Sequence, residues 1–286
     1  MSTYKINYEQ LRQDPLISAM LTALEEAFEK FSIDFYLVGA TARDVWISGI
    51  HFKRPARATK DIDFAVLIND KGQYNALKDY LINKKGFQPS PNNAFVLLYK
   101  ERTQVDLLPF GAVEDDDRKV TVEGTGYTTI HVPGFAEIYS SGLPEMELAG
   151  KHRFKFCSLP GIVILKLLAW EDRPENRRDD ILDISDILHH YFSMYDNEIW
   201  DSHSDLFANE DADLIQIAAR VIGREMRKIV NQSKDLLQRL DTMLANNIHD
   251  TNTSKIGTIM TAYFNNTVQD NIILLTELRK GLLESK

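Results

Sequence analysis

The sequence predicts an α/β (α+β) half followed by an all-α half, and three observations carry that reading. Short β-rich runs alternate with helical stretches from about residue 34 to residue 156. From Leu159 onward, apolar residues recur at helical spacing instead. No internal repeat or low-complexity tract interrupts either pattern. The expected organisation is therefore two domains, 1–158 and 159–286.

The first half reads in order as follows. Residues 34–38, Asp-Phe-Tyr-Leu-Val, form a strand ended by Gly39. Thr41 is placed to cap a helix running through Val45 and Trp46. Residues 61–68 form a second strand, followed by a helix over about 73–83. Residues 94–100 and 103–108 pair as a hairpin turning near Glu101-Arg102. Gly124 and Gly126 punctuate a further hairpin region up to about Val132, and Phe154-Lys155-Phe156 closes this half. In the second half, Pro160 suits a helix first turn, with Ile162, Leu165, Leu168 and Ala169 on a helical repeat. A second helix is expected over 178–191. Two long amphipathic segments, 211–245 and 253–283, follow, joined by the polar stretch 246–253.

Composition narrows the classes. Of 286 residues, 44% are hydrophobic and 26% charged, ordinary globular proportions. No apolar run approaches the roughly 20 residues that span a bilayer, and the first residues lack the apolar core of a secretory signal. No membrane partner is expected. The single cysteine, Cys157, cannot form an internal disulfide and reads as a buried small hydrophobe in a reducing cytoplasm. A net charge of -9 argues against a surface that binds nucleic acid nonspecifically. A local basic stretch remains: Arg43, Lys53, Arg54, Arg57 and Lys60, opposed only by Asp44.

The residues that carry chemistry begin with Asp61 and Asp63. Side chains two apart on a strand share a face, so both carboxylates point one way while Ile62 and Phe64 point into the core. Adjacent carboxylates repel unless a cation lies between them. Mg²⁺ takes such oxygen ligands and keeps positions open for phosphate oxygens. Solvated acids at a strand end are the plainer alternative. Asp106 is a lone acid in the apolar run Gln104-Val105-Asp106-Leu107-Leu108, and burying it without a partner would be costly. A metal shared with Asp61 and Asp63 would supply one, as would a nearby arginine. Upstream, Gly39-Ala40-Thr41 leads a strand into a helix, where backbone N–H groups can approach a phosphate. Arg57-Ala58-Thr59-Lys60 brings positive charge and a hydroxyl to the start of the acidic strand.

A strand, a glycine turn into a helix, Asp-x-Asp on a second strand and a single Asp on a third together resemble the DNA polymerase β-like nucleotidyltransferase superfamily. Val38-Gly39-Ala40-Thr41-Ala42-Arg43-Asp44 looks like the opening motif of tRNA CCA-adding enzymes and poly(A) polymerases. Asp106-Leu107-Leu108-Pro109-Phe110-Gly111 and the later Lys166-Leu167-Leu168-Ala169, with Arg173, are similar to the AbiEii-type branch, which contains nucleotidyltransferase toxins of toxin–antitoxin systems. The resemblance covers about residues 33–192. It implies a nucleotidyltransferase fold with a mixed central sheet in 1–158, followed by the helical domain 159–286.

It also implies an enzyme that moves a nucleoside monophosphate from a nucleoside triphosphate to an acceptor hydroxyl. Asp61, Asp63 and Asp106 would hold two Mg²⁺ ions, with Mn²⁺ able to replace them. Gly39, Ala40 and Thr41 would bind phosphates beside Arg43, Arg57 and Thr59. Lys166 would reach the triphosphate, with one of Asp180, Asp183 and Asp186, Asp183 first, orienting it or an arginine; a lysine with a buried stem and a surface ammonium, and solvated helix-surface acids, are the plainer alternatives. The acceptor would be an RNA 3′ end, that of a tRNA first of all, and the partner a cognate antitoxin. Two departures are visible. Gly39-Ala40 replaces the usual Gly-Gly or Gly-Ser, and about twenty residues separate Gly39 from Asp61. A small-molecule nucleotidyltransferase of the antibiotic-modifying kind and a noncatalytic nucleotide-sensing module stay open as alternatives.

Other residues offer less. His189 and His190 do not share a helix face. His131 has no second ligand at zinc spacing. Glu114-Asp115-Asp116-Asp117 reads as a solvated turn, and Ser140-Ser141-Gly142 lacks a nucleophile-elbow context.

Overall fold

The structure is a computed structural model that describes residues 3–11, 17–57, 61–208 and 213–284. The chain separates into two compact units. One comprises Met1–Phe52 and Arg57–Ser158, the other Lys53–Ala56 and Leu159–Lys286.

The first unit is built on a mixed sheet. Its elements in chain order are β1 (Thr3–Ile6), α1 (Ile17–Lys30), β2 (Phe35–Val38), α2 (Gly39–Asp44) continuing into a π-helical stretch (Val45–Ile50), β3 (Ile62–Leu67) and α3 (Lys71–Lys85). There follow β4 (Phe87–Pro89), β5 (Val96–Tyr99), β6 (Thr103–Phe110), β7 (Lys119–Thr121), β8 (Thr129–His131), α4 (Phe135–Ser140), β9 (Glu145–Leu148) and β10 (His152–Phe156). The main sheet has the order β1-β9-β10-β2-β3-β6-β5-β4, and β7 pairs with β8 apart from it. The pairs β1–β9, β10–β2 and β3–β6 are parallel, and the others in the sheet are antiparallel.

Strand alternation divides the apolar residues between two faces. Phe35 and Phe64 meet Phe28 of α1 and Phe154 of β10 on one face, with ring centroids 4.2–6.3 Å apart. Each fully buried ring of this kind stabilises the fold by roughly 1.5–3 kcal/mol. On the other face, Tyr36 and Phe110 pack against Phe135 and Tyr139 of α4, and the Tyr36 hydroxyl donates to the Phe135 carbonyl at 2.9 Å. The helix α3 follows ordinary end rules. Asp70 accepts from the Gln73 N–H at its start, and Gly86 closes it at φ 77°.

Several elements depart from the sequence expectation. The helix after β2 opens at Gly39 itself, with Val38 at the N-cap and no side-chain cap. Thr41 is therefore not a cap. It lies inside the helix and donates to the Asp61 carbonyl at 2.8 Å. The sheet also recruits β1 and β9, and α1 covers it; none of the three was expected.

The second unit is helical: α5 (Leu159–Asp172), α6 (Arg178–Met194), α7 (Asp196–Ser202), a single 3₁₀ turn (Ser204–Phe207), α8 (Leu214–Val230), α9 (Lys234–Ala245), α10 (Lys255–Phe264) and α11 (Val268–Leu283). The two expected long segments are each broken. Asn231 to Ser233 separates α8 from α9. Asn265, left-handed at φ 52°, ends α10, and Thr267 then starts α11 in a capping box with Asp270. Gly223 and Gly281 let α8 and α11 touch backbone to backbone; a Cβ on either would lie 2.0–2.1 Å from a carbonyl oxygen of the other helix.

Candidate active site

Register places the key carboxylates. Val38 of β2 lies opposite Asp63 of β3, and Asp63 lies opposite Asp106 of β6. Opposed residues on neighbouring strands share a face, and the strands stand about 4.8 Å apart. Asp63 and Asp106 are thus side by side, both half-buried, on the face that carries Tyr36, Ala65 and Phe110. Their chain neighbours Ile62, Phe64, Val105 and Leu107 are buried on the opposite face. Gln104, two residues before Asp106 and so on the same face, donates from Nε2 to Asp106 Oδ1 at 2.9 Å. Burial, with a contribution from the negative charge of Asp106, pushes the Tyr74 phenol far above its ordinary range.

Gly39 completes this arrangement. Its φ is +68°, and a Cβ there would lie 2.1 Å from Asp63 Oδ2. Glycine is required for both reasons: an L side chain is unfavourable at that φ, and the carboxylate already occupies the space. The Asp63 side chain therefore lies over the first residue of α2, against bare backbone.

Asp61 precedes β3 and is exposed. Its carbonyl is held by Thr41, which fixes the strand entry against α2. Among the described residues, no three of His, Cys, Asp or Glu converge closely enough to form a metal cage in this structure. The donor chemistry fits a hard cation nonetheless. Asp63 and Asp106 offer adjacent anionic oxygens, and Asp61, two residues before Asp63, stands at the same strand end.

The expected phosphate contacts fare differently. Ala40 and Thr41 are buried in α2, leaving backbone rather than side chain as what they offer. Arg43 departs from expectation. It is wholly buried, and its Nε and Nη2 donate to Asp44 Oδ1 at 2.9 and 2.7 Å while Nη2 also donates to the Arg57 carbonyl at 3.0 Å. A guanidinium committed in this way holds the segment after the π-helical stretch and presents nothing at the surface. Arg57 is half-buried in the first unit, whereas Lys53 and Arg54 belong to the second. Thr59, with Lys60, lies outside the described residues.

Lys166 and Asp183 lie in the second unit, joined to one another. Lys166 Nζ stands 2.8 Å from Asp180 Oδ1 and 2.7 Å from Asp183 Oδ2, almost fully buried. Burial disfavours the ammonium, but the two carboxylates outweigh it and hold its pKa above the ordinary lysine value. Asp186, one turn further along α6, is also buried. It accepts from the Ala56 N–H at 3.1 Å and the Tyr263 hydroxyl at 2.8 Å, tying residues 53–56 and α10 to α6. The Asp180, Asp183, Asp186 series is therefore an internal face of α6 rather than a solvated one. The role of Gln104 was not anticipated, nor were the bonds of Asp186 to Ala56 and Tyr263. For Gln104 the signal was present, since i and i+2 share a strand face.

Phosphoryl chemistry asks for adjacent hard oxygens and for backbone that a phosphate can approach, and the class that this fold serves is the nucleotidyltransferases. Comparison with protein families supplies the rest. A family model described as "Nucleotidyl transferase AbiEii toxin, Type IV TA system" matches residues 22–255, and the chain belongs to that family. No curated protein matches it. Among solved structures the chain is similar to the antibiotic-resistance factor ANT(2'')-Ia, determined in solution. The identity is 11% and the TM-score 0.36, over 83% of this chain and 100% of that one. No helix among the described residues is long and apolar enough to cross a membrane.

Proposed function

We propose that the chain transfers a nucleoside monophosphate from a nucleoside triphosphate to the hydroxyl of an RNA 3′ end, using Asp63 and Asp106 with Asp61. Family membership supports nucleotidyl transfer. The observation that carries the assignment to these residues is the direct pairing of Asp63 with Asp106, with the Asp63 carboxylate over Gly39. In this reading, Asp61, Asp63 and Asp106 hold two Mg²⁺ ions, or Mn²⁺ in their place. When bound, the ions neutralise charge on the triphosphate and lower the pKa of the acceptor hydroxyl. Gln104 orients Asp106, whose carboxylate accepts the acceptor's proton. Gly39, Ala40 and Thr41 give the phosphates backbone N–H groups. Arg57 and Thr59 are assigned to the phosphates at the entry of β3, whereas Lys166 could reach the triphosphate only by leaving Asp180 and Asp183 inside the second unit. The α-phosphorus gains a bond to the acceptor oxygen as pyrophosphate leaves.

The toxin–antitoxin family supports a cognate antitoxin as the partner gene product. The free, buried thiol of Cys157, which burial pushes well above its ordinary pKa, suits a cytoplasmic protein. The test is to incubate the protein with each α-labelled triphosphate and either total RNA or purified aminoglycosides. Label in RNA that ends at a 3′ terminus supports the reading. Label only in an aminoglycoside transfers the same chemistry to a small-molecule acceptor. Charge reversal at Arg54 and Arg57 should flatten the salt dependence of RNA binding, each lost phosphate contact removing roughly 0.7–0.9 from the log–log slope.

A further inference from the structure

A second constellation lies in the first unit, away from the paired carboxylates. Ser18 and Glu25 are seven residues apart on α1, two turns along one face and roughly 10 Å apart along the axis. Between them sits the imidazole of His152, the first residue of β10, with zero exposure. Ser18 Oγ is 2.9 Å from His152 Nε2, and His152 Nδ1 is 2.8 Å from Glu25 Oε2. Glu25 is held in turn by the Arg153 N–H, which donates to Oε1 at 3.2 Å. Lys151 Nζ donates to Ser18 Oγ at 3.0 Å.

For a neutral imidazole these contacts favour one tautomer. Glu25 has only acceptor oxygens when ionised, so Nδ1 carries the hydrogen and Nε2 is left as an acceptor. In that tautomer the Ser18 hydroxyl donates to Nε2 while its oxygen accepts from Lys151 Nζ. That is the tautomer a general base needs: nucleophile, base and an acid that orients the base, each at hydrogen-bond distance. Ser18 is half-buried, in the first turn of α1. The constellation is also remote from the other site. β10 runs parallel to β2 with Lys155 opposite Tyr36, which puts His152 at the strand end opposite to Val38 and Asp63.

We propose that Ser18, with His152 as base and Glu25 as its orienting acid, is an activated nucleophile that accepts acyl groups from esters. Ser18 Oγ attacks the ester carbonyl and its proton passes to His152 Nε2. The ammonium of Lys151 stabilises the charge developing beside Oγ. The bond from the carbonyl carbon to the alcohol oxygen then breaks, and the alcohol leaves with the proton from His152. An acyl-Ser18 ester remains, which water cleaves by the same route. This activity uses none of the nucleotidyl-transfer residues.

The same bonds join α1 to β10, so each variant is compared with wild type by melting temperature as well as by reactivity. The full chain is incubated with a fluorophosphonate probe and, separately, with p-nitrophenyl acetate, and the adducts are located by peptide mass mapping. The expected result is one phosphonyl adduct and one acetyl adduct, both on Ser18. Neither should form in Ser18→Ala. The labelling rate should fall on the order of 100-fold in His152→Gln, the scale of a lost general base, and by a smaller factor in Glu25→Gln, with fold retained. Glu25→Asp should recover part of the rate, which a purely structural tie would not require. No adduct on Ser18 in folded wild type, or equal labelling in folded His152→Gln, overturns the proposal. A phosphonyl adduct with neither an acetyl adduct nor p-nitrophenol release above the Ser18→Ala rate overturns the assignment to esters.

Discussion

Replacing Gly39 by alanine tests how the site is built. The backbone there stands at φ +68°, where an L residue costs about 1–2 kcal/mol more than glycine. The new Cβ would lie 2.1 Å from Asp63 Oδ2, so the carboxylate has to leave its position. Forcing that side chain off its rotamer adds about 0.5–1.5 kcal/mol. The sum is about 1.5–3.5 kcal/mol, which corresponds to a fall of roughly 3–14 °C for a unit of this size. The kinetic effect should be larger than the stability effect, because misplacing a catalytic group by about 1 Å can cost on the order of 100-fold. Thermal melts and label transfer from an α-labelled triphosphate, measured side by side on Gly39→Ala, check both. A variant that melts and turns over like wild type would refute the claim that Asp63 must lie against bare backbone.

Three further outcomes follow from the same geometry. Asp106→Asn keeps the Gln104 contact and most of the shape, so triphosphate binding should persist while turnover falls by orders of magnitude; equilibrium binding and single-turnover rates separate the two. Lys166→Ala leaves the buried Asp183 beside the part-buried Asp180 without their shared cation and should destabilise the second unit by about 3–5 kcal/mol, read by denaturant melts. In the first unit, burial pushes the Glu137 carboxyl up, but the Arg118 guanidinium and the N–H groups at the start of α4 outweigh it, leaving its pKa below the ordinary 4.5. Its stabilising effect is thus present above pH 4.5 and lost as pH falls through the lowered value. Glu137→Gln should flatten acid unfolding in that window, measured by melting temperature against pH.

Much of the first unit was legible because its signals are local. The β2 and β3 strands, the β5–β6 hairpin and the place of β10 follow from runs of β-branched and aromatic residues between turn residues. Asp63 and Asp106 could be paired only through register, which the sequence suggests by spacing but does not determine. Thr41 was misread because its hydroxyl has two uses, capping a helix or reaching the Asp61 carbonyl, and tertiary packing decides between them. Arg43 looked like a phosphate ligand because its charge was visible and its burial was not. The short strands β1 and β9 lack any internal pattern long enough to show a period; β9 is a strand because it pairs with β10 and β1, and β1 because it pairs with β9. The breaks within 211–245 and 253–283 rest on short polar stretches, Asn231 to Ser233 and Asn265 to Thr267, which interrupt an apolar period without an obvious proline or glycine. Ser18, Glu25 and His152 left no motif at all, since two lie on a helix and the third lies more than a hundred residues later.

The most direct test of the central claim is transfer from α-labelled triphosphate, measured with excess Mg²⁺ and with a chelator, in wild type and in Asp63→Asn. Asparagine preserves the volume over Gly39 and removes the charge. The account expects label in the acceptor for wild type with Mg²⁺, none with the chelator, and a loss of several orders of magnitude in an Asp63→Asn protein whose melt matches wild type. Transfer that persists in folded Asp63→Asn would place the chemistry elsewhere in the chain and contradict the assignment.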